Sequence, residues 1–484
     1  MSKQLWVQSE KRDVQKVKQW LGESLSRQDR VRHGRDGQML TPTIWRCDDE
    51  QIEQALVQHA LPSELGGGPM EMIALASRAG EEADPKTGVL DGVVRKWLAA
   101  LPAALLDSLA VRIAELQGQC PRRWSLYRPM LLLPSGSFDS PAWTSVLRHV
   151  EPAERARLWR GILDAVSLKD GGGALSRLAV NAGIPVAMTG SASHGENVLR
   201  SPSGLVMLYG DFGSVWAPDE MNPSPSPRDF EDAFWVSTKQ NGIYQVWAPR
   251  YTMFSRGNIK EKARIMSFHH PEAARTLARK RVRNWERGSA VDLYAGIGYF
   301  VFSYAAMGML SILGWEINPW SVEGLRRGAI GNGWKVKVVR GIELKKPMHE
   351  LLSDGDHIVI FEENNEYAGS RIAELRRLQH PRPGCALLGE NVVHVNCGLL
   401  PDSRPSWRTA LHALSRERGG WLHLHENVAK PDIEGRSREI EKEFCNWTTS
   451  SGRLVEMEHV ELVKTFAPGV WHCVFDVYVG PALP

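Results

Sequence analysis

Over the second half of the chain, short apolar runs alternate with helix-spaced stretches, and the runs stop at glycine or polar residues. Val291-Asp-Leu-Tyr-Ala-Gly-Ile-Gly-Tyr-Phe300 reads as a buried strand ending in a glycine turn that opens a helix. Gly314-Trp-Glu-Ile-Asn-Pro319 reads as the next strand, ending in an acid. A helix over 321–330 follows, then strands at 335–339, 357–361, 392–401 and 421–425, with helices at 407–415 and 436–444. Residues 462–466 and 472–479 would pair as closing antiparallel strands. This order predicts an open, Rossmann-like α/β sheet that binds ligands at its strand carboxyl ends.

Upstream the pattern is weaker. Residues 14–21 have helical spacing, Gly66-Gly-Gly68 reads as a loop, and 93–117 reads as one or two helices broken near Pro102. From Pro121 a basic and aromatic segment, Arg122-Arg-Trp-Ser-Leu-Tyr-Arg128, runs into an apolar strand. Residues 151–166 and 174–180 read as helices, 204–209 and 242–248 as strands, and Pro223-Ser-Pro-Ser-Pro227 as a stiff surface loop. Three segments are therefore expected: a variable, mainly helical extension over 1–118, a smaller α+β module over 119–250, and the Rossmann-like domain over 251–484.

Composition changes this picture little. A chain of 484 residues can bury sizeable cores, and 43% hydrophobic with 24% charged residues is ordinary for a soluble globular protein. The net charge of +3 implies no partner by itself, but charge is clustered. Residues 260–287 hold nine Lys/Arg against Glu261, Glu272 and Glu286, a local +6 (9 − 3). This one-sided run is either a solvated helix face or a phosphate-contacting surface, with Arg264, Lys280 and Arg281 as candidate contacts. The six cysteines form no C-x-x-C pair, so reduced, packed thiols are expected and no metal. With no signal-peptide core and no run near the ~18 apolar residues of a membrane span, a soluble cytoplasmic protein is expected.

The glycine turn carries the chemistry. Gly296 and Gly298 let backbone approach a ligand, and Glu316 follows Asp292 at roughly the 20-residue distance of a ribose-binding acid. The dinucleotide fingerprint needs a third glycine where Val301 stands, which disfavours NAD. Ala-Gly-x-Gly followed by Glu-x-Asn-Pro instead resembles enzymes that use S-adenosylmethionine (SAM). Asp292, Gly296, Gly298 and Glu316 are the candidate donor-binding residues of this turn.

Six ordered segments extend the likeness. They are Met253-Phe-Ser-Arg-Gly-Asn-Ile-Lys-Glu-Lys262, Val291–Phe300, Trp315-Glu-Ile-Asn-Pro319, Asn396-Cys-Gly-Leu-Leu-Pro401, Leu422-His-Leu-His-Glu-Asn-Val428 and Val463-Lys-Thr-Phe-Ala-Pro468. Together they resemble the class I methyltransferase-fold enzymes that act on the guanosine beside the anticodon of tRNA. Within that family they look most like the branch that transfers a 3-amino-3-carboxypropyl group from SAM to tRNA(Phe) in wybutosine formation. The resemblance covers 251–484 well, 119–250 loosely, and 1–118 hardly at all. It implies a role in tRNA positioning for the 119–250 module, and SAM contacts at Ser255, Lys262 and Glu316.

The family's Gly-Asp-Asn strand end, at the adenine, has two counterparts here. Gly341-Ile-Glu343 keeps the distance, whereas Phe361-Glu-Glu-Asn364 keeps the chemistry after an insertion, which puts Glu363 and Asn364 forward. Tyr299 is a candidate lining residue for the base or methionine pocket, and His425 and Glu426 are candidate general bases. Gly398-Leu-Leu-Pro401 resembles the aminocarboxypropyl branch more than the sister N1-methylating branch. A non-catalytic RNA-binding protein of the same fold is the third alternative, and the intact turn counts against it.

Overall fold

In the computed structural model, residues 3–9, 17, 20–21, 32–33, 39–47, 51–58, 71–76, 88–171, 173–181, 205–217, 224–270, 282, 284–352, 355–377 and 391–482 are described. Lys280, Arg281 and the Gly66–Gly68 loop lie outside them. The chain forms two compact units, Met1–Gly92 and Val93–Pro484.

The first unit corrects part of the mainly helical expectation for the extension. It holds an antiparallel sheet of β1 (Lys3–Ser9), β2 (Arg32–His33), β3 (Met39–Cys47) and β4 (Glu71–Ala76), in the order β2-β3-β1-β4. Leu5 and Val7 alternate inward along β1 and pack with Val17, Leu21 and Met72. That two-residue period is the strand signal in a short stretch flanked by charge.

In the second unit, Pro102 caps a helix at Ala103–Ser108, so the break falls where proline predicts it. A small sheet follows, of β5 (Ser125–Tyr127), β6 (Met130–Leu133), β7 (Arg177–Val180) and β8 (Val206–Tyr209). Here the helix expected over 174–180 is instead β7, paired parallel to β6. Its Leu178, Ala179 and Val180 are all buried, and a continuous apolar run of that length suits a central strand as well as a helix. β9 (Val236–Gln240) and β10 (Ile243–Trp247) form a hairpin.

The main sheet comprises β11 (Ser289–Asp292), β12 (Ser311–Trp315), β13 (Val336–Val339), β14 (Ile358–Phe361), β15 (Val392–Cys397), β16 (Gly420–Ala429), β17 (Val455–Ala467) and β18 (Val470–Val479). Its order is β13-β14-β12-β11-β15-β16-β18-β17. All neighbours are parallel up to β16, and the last two strands are antiparallel. This is a class I SAM-dependent methyltransferase-like α/β fold. Its strand 3 position, beside β12, is taken by β14, with β13 added outside it.

One face of the sheet is covered by an apolar cluster that includes Trp315, Phe361, Trp407 and Phe475. The other face packs against α1 (Ile259–Met266), α2 (Val301–Met307) and α3 (Pro319–Gly331). The β9–β10 hairpin lies against α3 through glycines. A Cβ at Gly324 would stand 2.7 Å from the Val246 carbonyl, and one at Gly331 would stand 2.5 Å from the Tyr244 ring. Asn332 fixes the contact, accepting from Tyr244 N at 2.8 Å and donating to Tyr244 O at 2.7 Å. The hairpin is thereby held along α3.

Candidate functional site

The turn after β11 adopts the backbone that its glycines allow. Gly296 has φ +53° and Gly298 φ +91°. A Cβ on Gly298 would also lie 2.5 Å from the Phe302 ring, so helix packing as well as ligand approach calls for glycine there. Glu316, just past β12, is tied to this turn. Its Oε2 accepts from Gly296 N at 2.8 Å and its Oε1 from Asn318 N at 2.8 Å. Burial pushes its carboxyl up to about 7, against the pull of the backbone N–H groups of Asn318, Gly296 and Ile317. The carboxylate is thus pre-oriented while each oxygen keeps a lone pair to offer.

Asp292 ends β11 fully buried. Its Oδ1 accepts from Asn396 Nδ2 at 2.9 Å and from Tyr294 N at 3.2 Å, whereas Oδ2 makes no hydrogen bond of good geometry. Burial raises this carboxyl to about 6. Asn365 Nδ2 donates to Leu293 O at 2.8 Å, which ties the segment after β14 to the same turn.

At the β14 end, Glu316 N donates to Phe361 O at 3.1 Å, which sets the 361–364 segment beside Glu316. Glu363 is already engaged there. Arg371 grips it at 2.5 and 2.7 Å, and Trp315 Nε1 donates to it at 3.1 Å. Asn364 Oδ1 accepts from Glu366 N at 2.9 Å. The less occupied carboxylate is Glu362, whose buried Oε2 lacks a hydrogen bond and lies 3.6 Å from Arg340 Nε. Burial raises its pKa, Arg340 lowers it and Glu323 raises it. Glu343 sits one strand further out, after the edge strand β13.

Ser255, Lys262 and Tyr299 come together. The Tyr299 hydroxyl donates to Met253 O at 2.6 Å and accepts from Ser255 N at 2.9 Å. Lys262, 3% exposed, donates to Gln240 Oε1 at 2.7 Å and Gln245 Oε1 at 3.0 Å. Its amine lies 5.1 Å from the Phe254 ring centre and 5.5 Å from that of Tyr299. Desolvation lowers the lysine to about 8. No carboxylate pairs with it among the described residues, so the site holds a buried cation suited to an incoming anion. On the far side of Phe254 a cavity of about 340 Å³ is lined by Trp124, Tyr127 and Trp247, with Arg123 and Arg256 on its wall.

Two candidate general bases are tied down. His425, 1% exposed, has Nδ1 3.0 Å from His472 Nε2 and Nε2 3.2 Å from Asn396 Oδ1. Burial and neighbouring positive charge hold its pKa well below the usual imidazole range. The Asn396 amide donates to Asp292, so its oxygen faces His425 and the ring must donate through Nε2. Nδ1 then accepts from His472, and neither nitrogen is free to take a proton from substrate. Both Glu426 oxygens are held by Arg436 at 2.8 Å.

Arg264 is likewise turned inward rather than toward a phosphate. It binds Glu261 at 2.6 and 2.7 Å and Asp476 at 2.5 and 3.0 Å. Asp476 accepts from His423 Nδ1 at 2.7 Å, His423 Nε2 meets His394 Nδ1 at 3.0 Å, and His394 Nε2 meets His269 Nε2 at 2.8 Å. Two polar rows therefore cross one face of the sheet, two residues apart on β15 and β16. Polar residues at every second position of apolar strands, His394/Asn396 and His423/His425, are the sequence signal that would have found them. Glu362, Asn365 and the two glutamines have no comparable signal. Among the described residues no group of three or more His, Cys, Asp or Glu is placed to hold a metal, and no helix is long and apolar enough to cross a membrane.

No family model matches the chain. It is 37% identical over 369 residues to tRNA wybutosine-synthesizing protein 2 of Schizosaccharomyces pombe, covering 76% of this chain and 75% of that one. It is 31% identical over 396 residues to the Saccharomyces cerevisiae protein of the same name, covering 76% of each. Among solved structures, P. horikoshii TYW2 in complex with MeSAdo is similar at TM-score 0.46 and 17% identity, over 81% of this chain and all (100%) of that one. Trm5b from Pyrococcus abyssi is similar at TM-score 0.46 and 12% identity, over 99% of each chain. Neither structural likeness bears on activity.

Proposed function

The chain belongs to the family of tRNA wybutosine-synthesizing protein 2, and on that premise we propose that it is a tRNA 3-amino-3-carboxypropyltransferase. The group passes from SAM to C7 of the 4-demethylwyosine base at position 37 of tRNA(Phe), in the anticodon loop. A bond forms between C7 and the γ-carbon of the methionine moiety, the γ-carbon–sulfur bond breaks, methylthioadenosine leaves with the bonding pair, and the C7 proton is released to water as the ring regains its aromaticity. The donor's sulfonium activates three carbons, so the outcome depends on which of them faces the nucleophile.

The observation that carries this reading is the junction of Glu316 with Gly296, a buried carboxylate fixed on a glycine turn at a strand end. In this proposal Glu316 takes the ribose hydroxyls. Glu362, Glu363 and Asn364 frame the adenine, and Glu362 has the freer oxygen. Lys262 meets the methionine carboxylate with Ser255 beside it, while Asp292 closes the pocket under the turn. The protein's contribution is orientation and exclusion of water around a positive charge that is lost as the bond breaks. His425 acts through Asn396 on Asp292 and carries no proton of the substrate. The 119–250 module positions the RNA, and the Trp124–Tyr127 cavity beside Phe254 is a recess large enough for a base.

The test is incorporation of label into suitably modified tRNA(Phe). SAM labelled at the methionine carboxyl should mark the RNA, and SAM labelled at the methyl should not. Methyl label in the RNA would sink the proposal in favour of N1-methylation. No label from either donor would favour a binding-only protein.

A further inference from the structure

The turn that carries Ser255 has a second lysine against it. The side chain of Lys464, from β17, lies over Gly257, where a Cβ would stand 2.5 Å from its Cδ and 2.6 Å from its Nζ. Gly257 has no positive φ, so its backbone does not demand glycine. What the missing side chain provides is room for the amine. Lys464 is half-buried, and burial lowers its pKa with no carboxylate offsetting the effect. Among the described residues its amine has no hydrogen-bond acceptor.

Its cross-strand partner is His472, in register with it on β18. His472 is held down to about 4, first by burial and then by the Lys464 charge. With Nε2 given to His425, its buried Nδ1 has no partner. Arg256, in the same turn, is exposed. A half-buried amine held on bare backbone, with no acid paired to it among the described residues, is built to receive an anion from outside the protein.

Two anions could supply that chemistry, the donor's carboxylate and an RNA phosphodiester. The donor has one carboxylate, and buried Lys262 is enclosed to receive it, whereas Lys464 is only half-buried and Arg256 is exposed. We infer that Lys464, seated on Gly257, binds a phosphodiester of the acceptor RNA next to the reacting nucleotide, with Arg256 as a second contact. The inference rests on the reading of the chain as a tRNA-modifying enzyme.

The test is a salt titration of tRNA binding by the full chain. Lys464→Met should weaken binding regardless of sequence and reduce the slope of log K against log salt by about 1. Lys464→Arg should restore the slope, and Gly257→Ala, which displaces the amine without removing it, should move it the same way as Lys464→Met. SAM affinity by calorimetry should be unchanged in all three, with melting temperatures as the folding control. An unchanged slope in a folded Lys464→Met protein would overturn the inference. Lost SAM affinity at unchanged slope would overturn it too, by giving the amine to the donor's carboxylate. Failure of the unsubstituted chain to bind tRNA would instead remove the functional reading, and this inference with it.

Discussion

The two polar rows on the sheet face are built alike and finished differently. In the His269–His394–His423–Asp476 row the terminal carboxylate meets Arg264, which also binds Glu261. Arg264 and His423 hold Asp476 well below the usual carboxylate range despite its burial. Such a row is closed, since each charge has its partner inside the protein. Among the described residues the His472–His425–Asn396–Asp292 row has no cation at its carboxylate end, and burial raises Asp292 to about 6. Among the described residues His472 Nδ1 has no hydrogen-bond partner, and Asp292 Oδ2 has none of good geometry, the Val301 backbone N–H being the further donor to this carboxylate. Buried polar groups are normally satisfied, so the open row is where an outside partner is expected and the closed row is where stability resides.

The largest effect should come from opening the closed row. Asp476→Ala leaves Arg264 and the histidines without their carboxylate and should cost about 3–5 kcal/mol in denaturant unfolding. A loss below about 1 kcal/mol would remove the distinction between the rows.

The rows should also respond oppositely to pH. Asp476, with its folded pKa depressed, contributes stability above pH 4 that is lost as pH falls toward that depressed value. Asp292 and Glu316, with folded pKa values raised to about 6 and about 7, favour the ligand-free fold most below pH 4. That contribution disappears as pH rises through 6 to 7, by up to about 3 kcal/mol for each acid. Unfolding of Asp292→Asn and Glu316→Gln across pH 4–8 should show this fall flattened, and a parallel curve would refute it.

Donor affinity should separate the two regions next. Glu316→Ala should weaken SAM binding roughly 10- to 100-fold, the worth of one or two charge-assisted hydrogen bonds of about 1.5–3 kcal/mol. Unchanged calorimetry would take Glu316 out of the site. The smallest effect belongs to His425→Gln, which can still donate to Asn396 but mismatches His472, at roughly 1 kcal/mol. If turnover fell by orders of magnitude with SAM affinity intact, His425 would be the base after all.

Much of this was legible beforehand because period and punctuation agree. β14 begins within a residue of its expected run, β11 and β12 begin two and three residues ahead of theirs, and Glu316 stands just past the end of β12. The Phe361–Asn364 segment follows β14, the neighbour of β12, whereas Gly341–Glu343 follows the edge strand β13. Side-chain partners were not legible. Arg264 looks like any basic residue of a charged helix until Asp476, 212 positions away, closes on it. Glu363 passes for a free acceptor until Arg371 folds back from the following helix. Residues 174–180 failed for a different reason, because seven mostly apolar residues fit a strand or a helix equally until a neighbour pairs with them.

The rows also restrict how the chain can assemble. His394, Asn396, His423, His425 and Asp476 alternate with Val395, Cys397, Leu422, Leu424 and Phe475, which face the opposite apolar cluster. A slip of one residue between β16 and its neighbours would thrust imidazoles into that oil, and a slip of two would move one imidazole into the other row and leave its own row without one. The histidines therefore act as a keyed lock for strand alignment. A β16 of ten residues, otherwise free to slide along β18, has one position in which the key turns.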